Sequence, residues 1–147
     1  MADGIPPATV LAFDFGTRRI GVAVGNTLTR AARPLATISA QSTDARFAAV
    51  AALIKEWEPN LLVVGLPVHA DGAPHAMTER AQRFARQLHA LFRLPVELAD
   101  ERWTTQMAQS MLDASGTGGR KGKAVRDQVA AQLILEGWLN EHGAATP

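Results

Sequence analysis

The sequence predicts one α/β domain, a five-stranded mixed sheet with helices on both faces. Three observations carry that reading. Three β-prone runs come first with no helix between them, and strands then alternate with helices. At 147 residues the chain has room for one core and hardly two. No internal repeat or linker-like stretch divides it, so residues 1–147 read as a single domain with an ordered core over about 10–140.

The elements follow in order. Val10 to Val24 holds two apolar runs around Gly16-Thr17-Arg18-Arg19, the pattern of a β-hairpin. A third run spans Pro34 to Ile38. Ser42-Thr43-Asp44 offers helix N-cap chemistry; Phe47, Val50, Ala51 and Ile54 recur behind it at helical spacing, and Pro59-Asn60 closes the helix. Leu61 to Leu66 is continuously apolar, as expected of a strand covered on both faces. Pro67 to His75 reads as a loop, and a helix carrying Phe84, Leu88 and Leu91 follows it. Pro95 to Leu98 supplies the fifth strand, and Thr104 or Thr105 caps a helix through Leu112. Ala114 to Arg126 contains Gly116, Gly118, Gly119 and Gly122 and is expected to be a mobile loop. The last helix is expected from about Ala124 to Asn140.

Composition removes several function classes. Cysteine is absent, which excludes disulfide scaffolds, thiolate zinc sites and cysteine nucleophiles. Aromatics are 5% with no Tyr, which argues against a platform that stacks single-stranded bases. The N-terminal residues lack the basic and long apolar regions of a signal peptide, and no uncharged apolar run reaches the roughly 18 residues of a membrane helix. The expectation is a small cytoplasmic domain with no membrane partner.

The net charge of +1 says little, but its distribution says more. No acidic residue lies between Asp14 and Asp44, where Arg18, Arg19, Arg30 and Arg33 occur. None lies between Asp113 and Asp127, where Arg120, Lys121, Lys123 and Arg126 occur. Such segments attract phosphates when a fold brings them together, and otherwise serve as solubilising charge.

Three carboxylates stand out. Asp14 interrupts an apolar strand between Phe13 and Phe15, where a charge has to be paired, hydrogen-bonded or metal-bound. Glu101 follows the fifth strand, near the carboxyl edge where open α/β sheets bind ligands. Asp127 shares a helical face with Ala130, Ala131 and Ile134, and the two alanines allow that face close to the sheet. Each has an ordinary account as well: a bulge carboxylate, surface charge at a strand-helix junction, and an acid complementing a helix dipole. Together they suit hard divalent cations, which take oxygen ligands. Two such ions about 4 Å apart clamp the attacking and leaving oxygens of a phosphodiester.

Other features carry less. His69, His75, His89 and His142 show no metal-ligand spacing, and the glycine-rich stretch does not match a P-loop. Trp57, Trp103 and Trp138 read as packing residues, with Trp103 a candidate substrate wall beside Glu101.

The strings DFGTRRIGVAV from Asp14, VVGLP from Val63, DERWTT from Asp100 and DQVAAQLIL from Asp127 resemble the YqgF family. These are bacterial Holliday-junction-resolvase-like proteins, also described as pre-16S rRNA nucleases. The resemblance covers about Leu11 to Leu139. It implies an RNase H-like fold, an acidic triad at Asp14, Glu101 and Asp127, and a Mg²⁺- or Mn²⁺-dependent nuclease that matures the 5′ end of pre-16S rRNA during ribosome biogenesis. Its implied partners are structured RNA and the pre-ribosome, with the chain a monomer or weak homodimer. One departure is Asn26, where many members carry an acid.

On this reading Arg18, Arg19, Arg102, Arg120, Lys121 and Lys123 hold substrate phosphates. One alternative keeps the fold and takes branched DNA as substrate, which requires two active sites and hence a dimer. Another is a nucleotide-binding domain of the actin and sugar-kinase type, disfavoured because those proteins enclose ATP between two lobes. A non-catalytic ribosome-assembly factor is a further alternative.

Overall fold

The computed structural model describes residues 8–16, 18–39, 42–66, 76–100 and 119–142. Five strands form one sheet: β1 (Thr9–Phe15), β2 (Arg19–Asn26), β3 (Ala32–Ser39), β4 (Leu61–Leu66) and β5 (Val96–Asp100). The helices are α1 (Thr43–Trp57), α2 (Ala76–Phe92) and α3 (Gly119–His142). Sheet order is β3-β2-β1-β4-β5, so β1 is central. The first three strands form an antiparallel meander, while β1, β4 and β5 run parallel. Their carboxyl ends, at Phe15, Leu66 and Asp100, therefore share one edge.

Strand alternation sorts the side chains into two cores. Leu11 and Phe13 of β1, with Ile20, Val22 and Val24 of β2, face α1 and α2. Phe84 of α2 anchors this core: its ring meets Phe13 edge-on at 5.9 Å, Phe15 at 4.9 Å and Phe47 at 5.7 Å. Val10 and Ala12 of β1 and Ala23 of β2 face α3, which buries Ala131, Ile134, Leu135, Trp138 and Leu139 against them.

The ends of α1 show why it starts and stops where the sequence says. Ser42 is extended, and its Oγ accepts the Ala45 N–H at 3.1 Å. At the other end Glu58 takes the left-handed conformation (φ 46°) and its N–H donates to the Ile54 carbonyl at 2.8 Å.

The structure corrects two boundaries. Arg19, read as a turn residue, opens β2 and pairs with Ser39 of β3. The last helix begins at Gly119, five residues before the expected Ala124, so the described part of the predicted loop is helical. Gly119 and Gly122 cost about 1 kcal/mol each in a helix. A helix docked along the sheet from Asp127 onward extends through good formers such as Arg120, Lys121, Lys123 and Ala124 despite them. The predicted loop at Pro67 to His75 and the helix from Thr104 or Thr105 to Leu112 lie outside the described residues. Among the described residues no helix is long and apolar enough to cross a membrane.

Candidate active site at the carboxyl edge of the sheet

Asp14 is the penultimate residue of β1. It has the parity of Val10 and Ala12, so its side chain belongs to the face covered by α3. Its antiparallel partner on β2 is Gly21. Gly21 makes the site possible, through space and not backbone angle. A Cβ there would stand 2.0 Å from the Asp127 carbonyl oxygen and 3.0 Å from the Asp127 Cβ. The backbone of α3 thus rests on the residue paired with Asp14. Two acids 113 positions apart in the chain become neighbours across one glycine.

The rest of β2 repeats the device. Gly21, Ala23 and Gly25 alternate with Ile20, Val22 and Val24. The small residues accept α3, while the large ones fill the opposite core. At Gly25 a Cβ would meet the Leu135 Cδ2 at 2.8 Å. The helix therefore runs along β2, with Asp127 over Gly21 and Leu135 over Gly25. Gln128 Nε2 donates to Thr37 Oγ1 at 3.0 Å, Gln132 Nε2 to the Ala32 carbonyl at 3.2 Å, and Trp138 Nε1 to Glu97 Oε1 at 3.3 Å. These bonds pin α3 to β3 on one side and to β5 on the other.

Arg19 completes the described part of the site. Its Nε donates to Asp127 Oδ2 at 2.7 Å, with the two side chains 32% and 20% exposed. This fixes the orientation of the carboxylate. It also means that Arg19, expected to hold phosphate, spends its Nε on Asp127. Arg18 is exposed beside it. Arg120, Lys121 and Lys123 sit in the first turns of α3, ahead of Asp127. Glu101 and Arg102 lie outside the described residues; the described chain reaches Asp100, which pairs with Leu66 at the same carboxyl edge. Trp103 lies outside as well.

Asp14 and Asp127 offer oxygen donors only, the chemistry that Mg²⁺ and Mn²⁺ take. Among the described residues no third metal-ligating side chain joins them. The donor set fits such an ion, and Glu101 is the next residue after the described end of β5.

Asn26 proves to be remote from this edge. It ends β2 opposite Thr9, at the start of β1. Its Oδ1 accepts the N–H groups of Leu28 at 2.7 Å and Thr29 at 3.4 Å, closing the β2–β3 turn. An aspartate oxygen would accept the same bonds, so the departure from the family pattern leaves the turn intact. His89 accounts for itself at the end of α2, where its Nδ1 lies 2.9 Å from the Leu94 carbonyl.

Comparison with known proteins places the chain. The family RuvX, described as Holliday junction resolvase, matches residues 8–141. The chain belongs to that family. A protein of Chromobacterium violaceum named "Putative pre-16S rRNA nuclease" is 54% identical over 136 residues, covering 92% of this chain and 99% of its own. A Nitrosomonas europaea protein of the same name is 53% identical, covering 94% of this chain and 93% of its own. Among solved structures, the Thermus thermophilus RuvC bound to a Holliday junction superposes with a TM-score of 0.54 at 15% identity, covering 92% of this chain and 98% of that one. The Fowlpox virus resolvase gives 0.54 at 11% identity, over 90% and 97%. At such identity these two likenesses show the fold, which is RNase H-like.

Sequence reasoning missed Gly21. The signal was present in the strict large-small alternation of Ile20-Gly21-Val22-Ala23-Val24-Gly25, which marks a strand face reserved for a closely packed helix.

Proposed function

We propose that this RuvX-family protein is a nuclease that hydrolyses phosphodiester bonds of structured RNA, with precursor 16S rRNA as its substrate in the bacterial cytoplasm. The observation that carries the reading is the backbone of α3 resting on Gly21, which sets Asp127 beside Asp14 at the edge where RNase H-like sheets end their parallel strands. The relatives' names supply the substrate class.

Asp14, Glu101 and Asp127 would hold Mg²⁺ or Mn²⁺. When bound, such a cation neutralises charge on the scissile phosphate and makes water a stronger nucleophile. Asp14, near the end of the central strand, is held by its pairing with Gly21 of β2, one residue past the last β1–β4 partners, Phe13 and Val64. Arg19 holds the Asp127 carboxylate in one orientation. Arg18, Arg102, Arg120, Lys121 and Lys123 would attract and position backbone phosphates.

The test compares wild type with Asp14→Asn on pre-16S rRNA, with Mg²⁺, with Mn²⁺ and with chelator. Cleavage by wild type should need the cation, and the variant should fold but lose cleavage. A variant that cuts at the wild-type rate would sink the assignment of Asp14.

The family description favours a second reading, cleavage of four-way DNA junctions. Paired cuts need two active sites, so this reading requires a dimer. Light scattering with a junction-cleavage assay decides it: a monomer that leaves junctions intact refutes the reading.

A further inference from the structure

Next to the carboxylates, but on the other face of the sheet, lies a groove of about 400 Å³ between the N-terminal halves of α1 and α2. Its floor is aromatic: Phe15, Phe47 and Phe84. Its rim carries Arg46, Arg80 and Arg83, and no Asp or Glu lines it among the described residues. We propose that this groove binds the phosphodiester backbone of the substrate nucleic acid away from the scissile bond. The inference rests on the nuclease reading above and extends the binding surface to residues that reading does not use.

Position is the first argument. Phe15 directly follows Asp14, and successive strand residues point to opposite faces. The candidate active site and the groove therefore stand back to back at one edge, so a strand rounding that edge meets both. Direction is the second. Both helices start at this edge, because α1 follows the upper end of β3 and α2 follows that of β4. Their positive dipole ends add to the field of the three guanidinium groups. Chemistry is the third. Arg46 lies over the Phe15 ring with its guanidinium carbon 5.6 Å from the ring centre. Three guanidinium groups around one groove, each with several N–H donors, suit phosphate oxygens, which accept from them in pairs. The rings themselves are packed against one another, so the groove suits backbone and not inserted bases.

The test uses a fluorescent RNA stem-loop with a single-stranded extension, titrated with full-length protein by anisotropy in chelator at several salt concentrations. Arg80 and Arg83 are exposed, so Arg80→Gln/Arg83→Gln should melt like wild type. It should bind about tenfold more weakly, and the slope of log K against log salt should flatten by about 1.4, at roughly 0.7 per lost phosphate contact. Arg86→Gln removes one such charge from the other flank of α2, beside Glu97, and should stay within about twofold of wild type. If wild type binds and cuts RNA but the double variant keeps its affinity and slope, the groove proposal is wrong and the nuclease reading stands. An equal loss per charge removed in Arg86→Gln and the double variant also overturns it, since the effect is then diffuse charge. If wild type neither binds nor cuts RNA, the nuclease reading falls and takes the groove with it.

Discussion

Gly21→Ala tests the central geometric claim with a single methyl group. The added Cβ would lie 2.0 Å from the Asp127 carbonyl oxygen and 2.3 Å from its carbonyl carbon, whereas real Cβ contacts essentially never fall under 3.0 Å. Helix and strand must therefore part by at least 1 Å, and neither partner is a flexible side-chain tip. Overpacking of this kind costs about 1–3 kcal/mol. The site should suffer more than the fold, because a displacement of about 1 Å in a catalytic group costs on the order of 10²-fold in rate. The assay pairs urea denaturation with cleavage of pre-16S rRNA under saturating Mg²⁺. The control is Gly137→Ala, an exposed position of the same helix where a Cβ meets nothing within 4 Å. That variant should gain up to about 1 kcal/mol and keep its activity. Gly21→Ala protein that matches wild type in stability and rate would refute the claim that α3 is seated on β2 at this residue. Lost stability with full activity would show that the seating does not set the site.

Three further outcomes are expected. Ser42→Ala should lower stability by about 1 kcal/mol in urea melts, because it removes the acceptor of the Ala45 N–H at the start of α1. Glu58→Gly should raise stability by about 1 kcal/mol, since a side chain held at φ 46° is strained where glycine is not. A double-mutant cycle of Arg19→Gln and Asp127→Asn should give a coupling below about 1 kcal/mol that shrinks as salt rises, because both partners remain partly exposed.

The sheet was legible because its signals are local. The hairpin shows in two apolar runs around a short turn, β4 in an unbroken apolar run, and α1 in its cap and stop residues. The approach of Asp127 to the sheet was legible for a similar reason. Ala130 and Ala131, 3% and 0% exposed, follow it on one helical face and leave room for close packing. The start of α3 was misread because four glycines in a short stretch outweigh lysine and arginine in any local count, while the docking that sustains the helix is tertiary. The arginine groove had no sequence signature at all. Arg46 and Arg80 belong to different helices, and only the order β3-β2-β1-β4-β5 sets those helices side by side.

One contact therefore serves two purposes, and this shapes how variants should be read. Asp127 is in place because Gly21, Ala23 and Gly25 let α3 lie against β2, and the same seating buries Ala131, Leu135 and Leu139. A substitution that enlarges any of these small residues lifts the helix and moves the carboxylate with it. Loss of cleavage in such a variant does not by itself mark a catalytic residue. Asp14→Asn differs in kind, because it changes a charge on β1 and leaves untouched the small residues of β2 that seat α3. The two classes separate when rate and melting are measured together: helix-seating variants lose both rate and stability, whereas Asp14→Asn loses rate with its melting behaviour preserved.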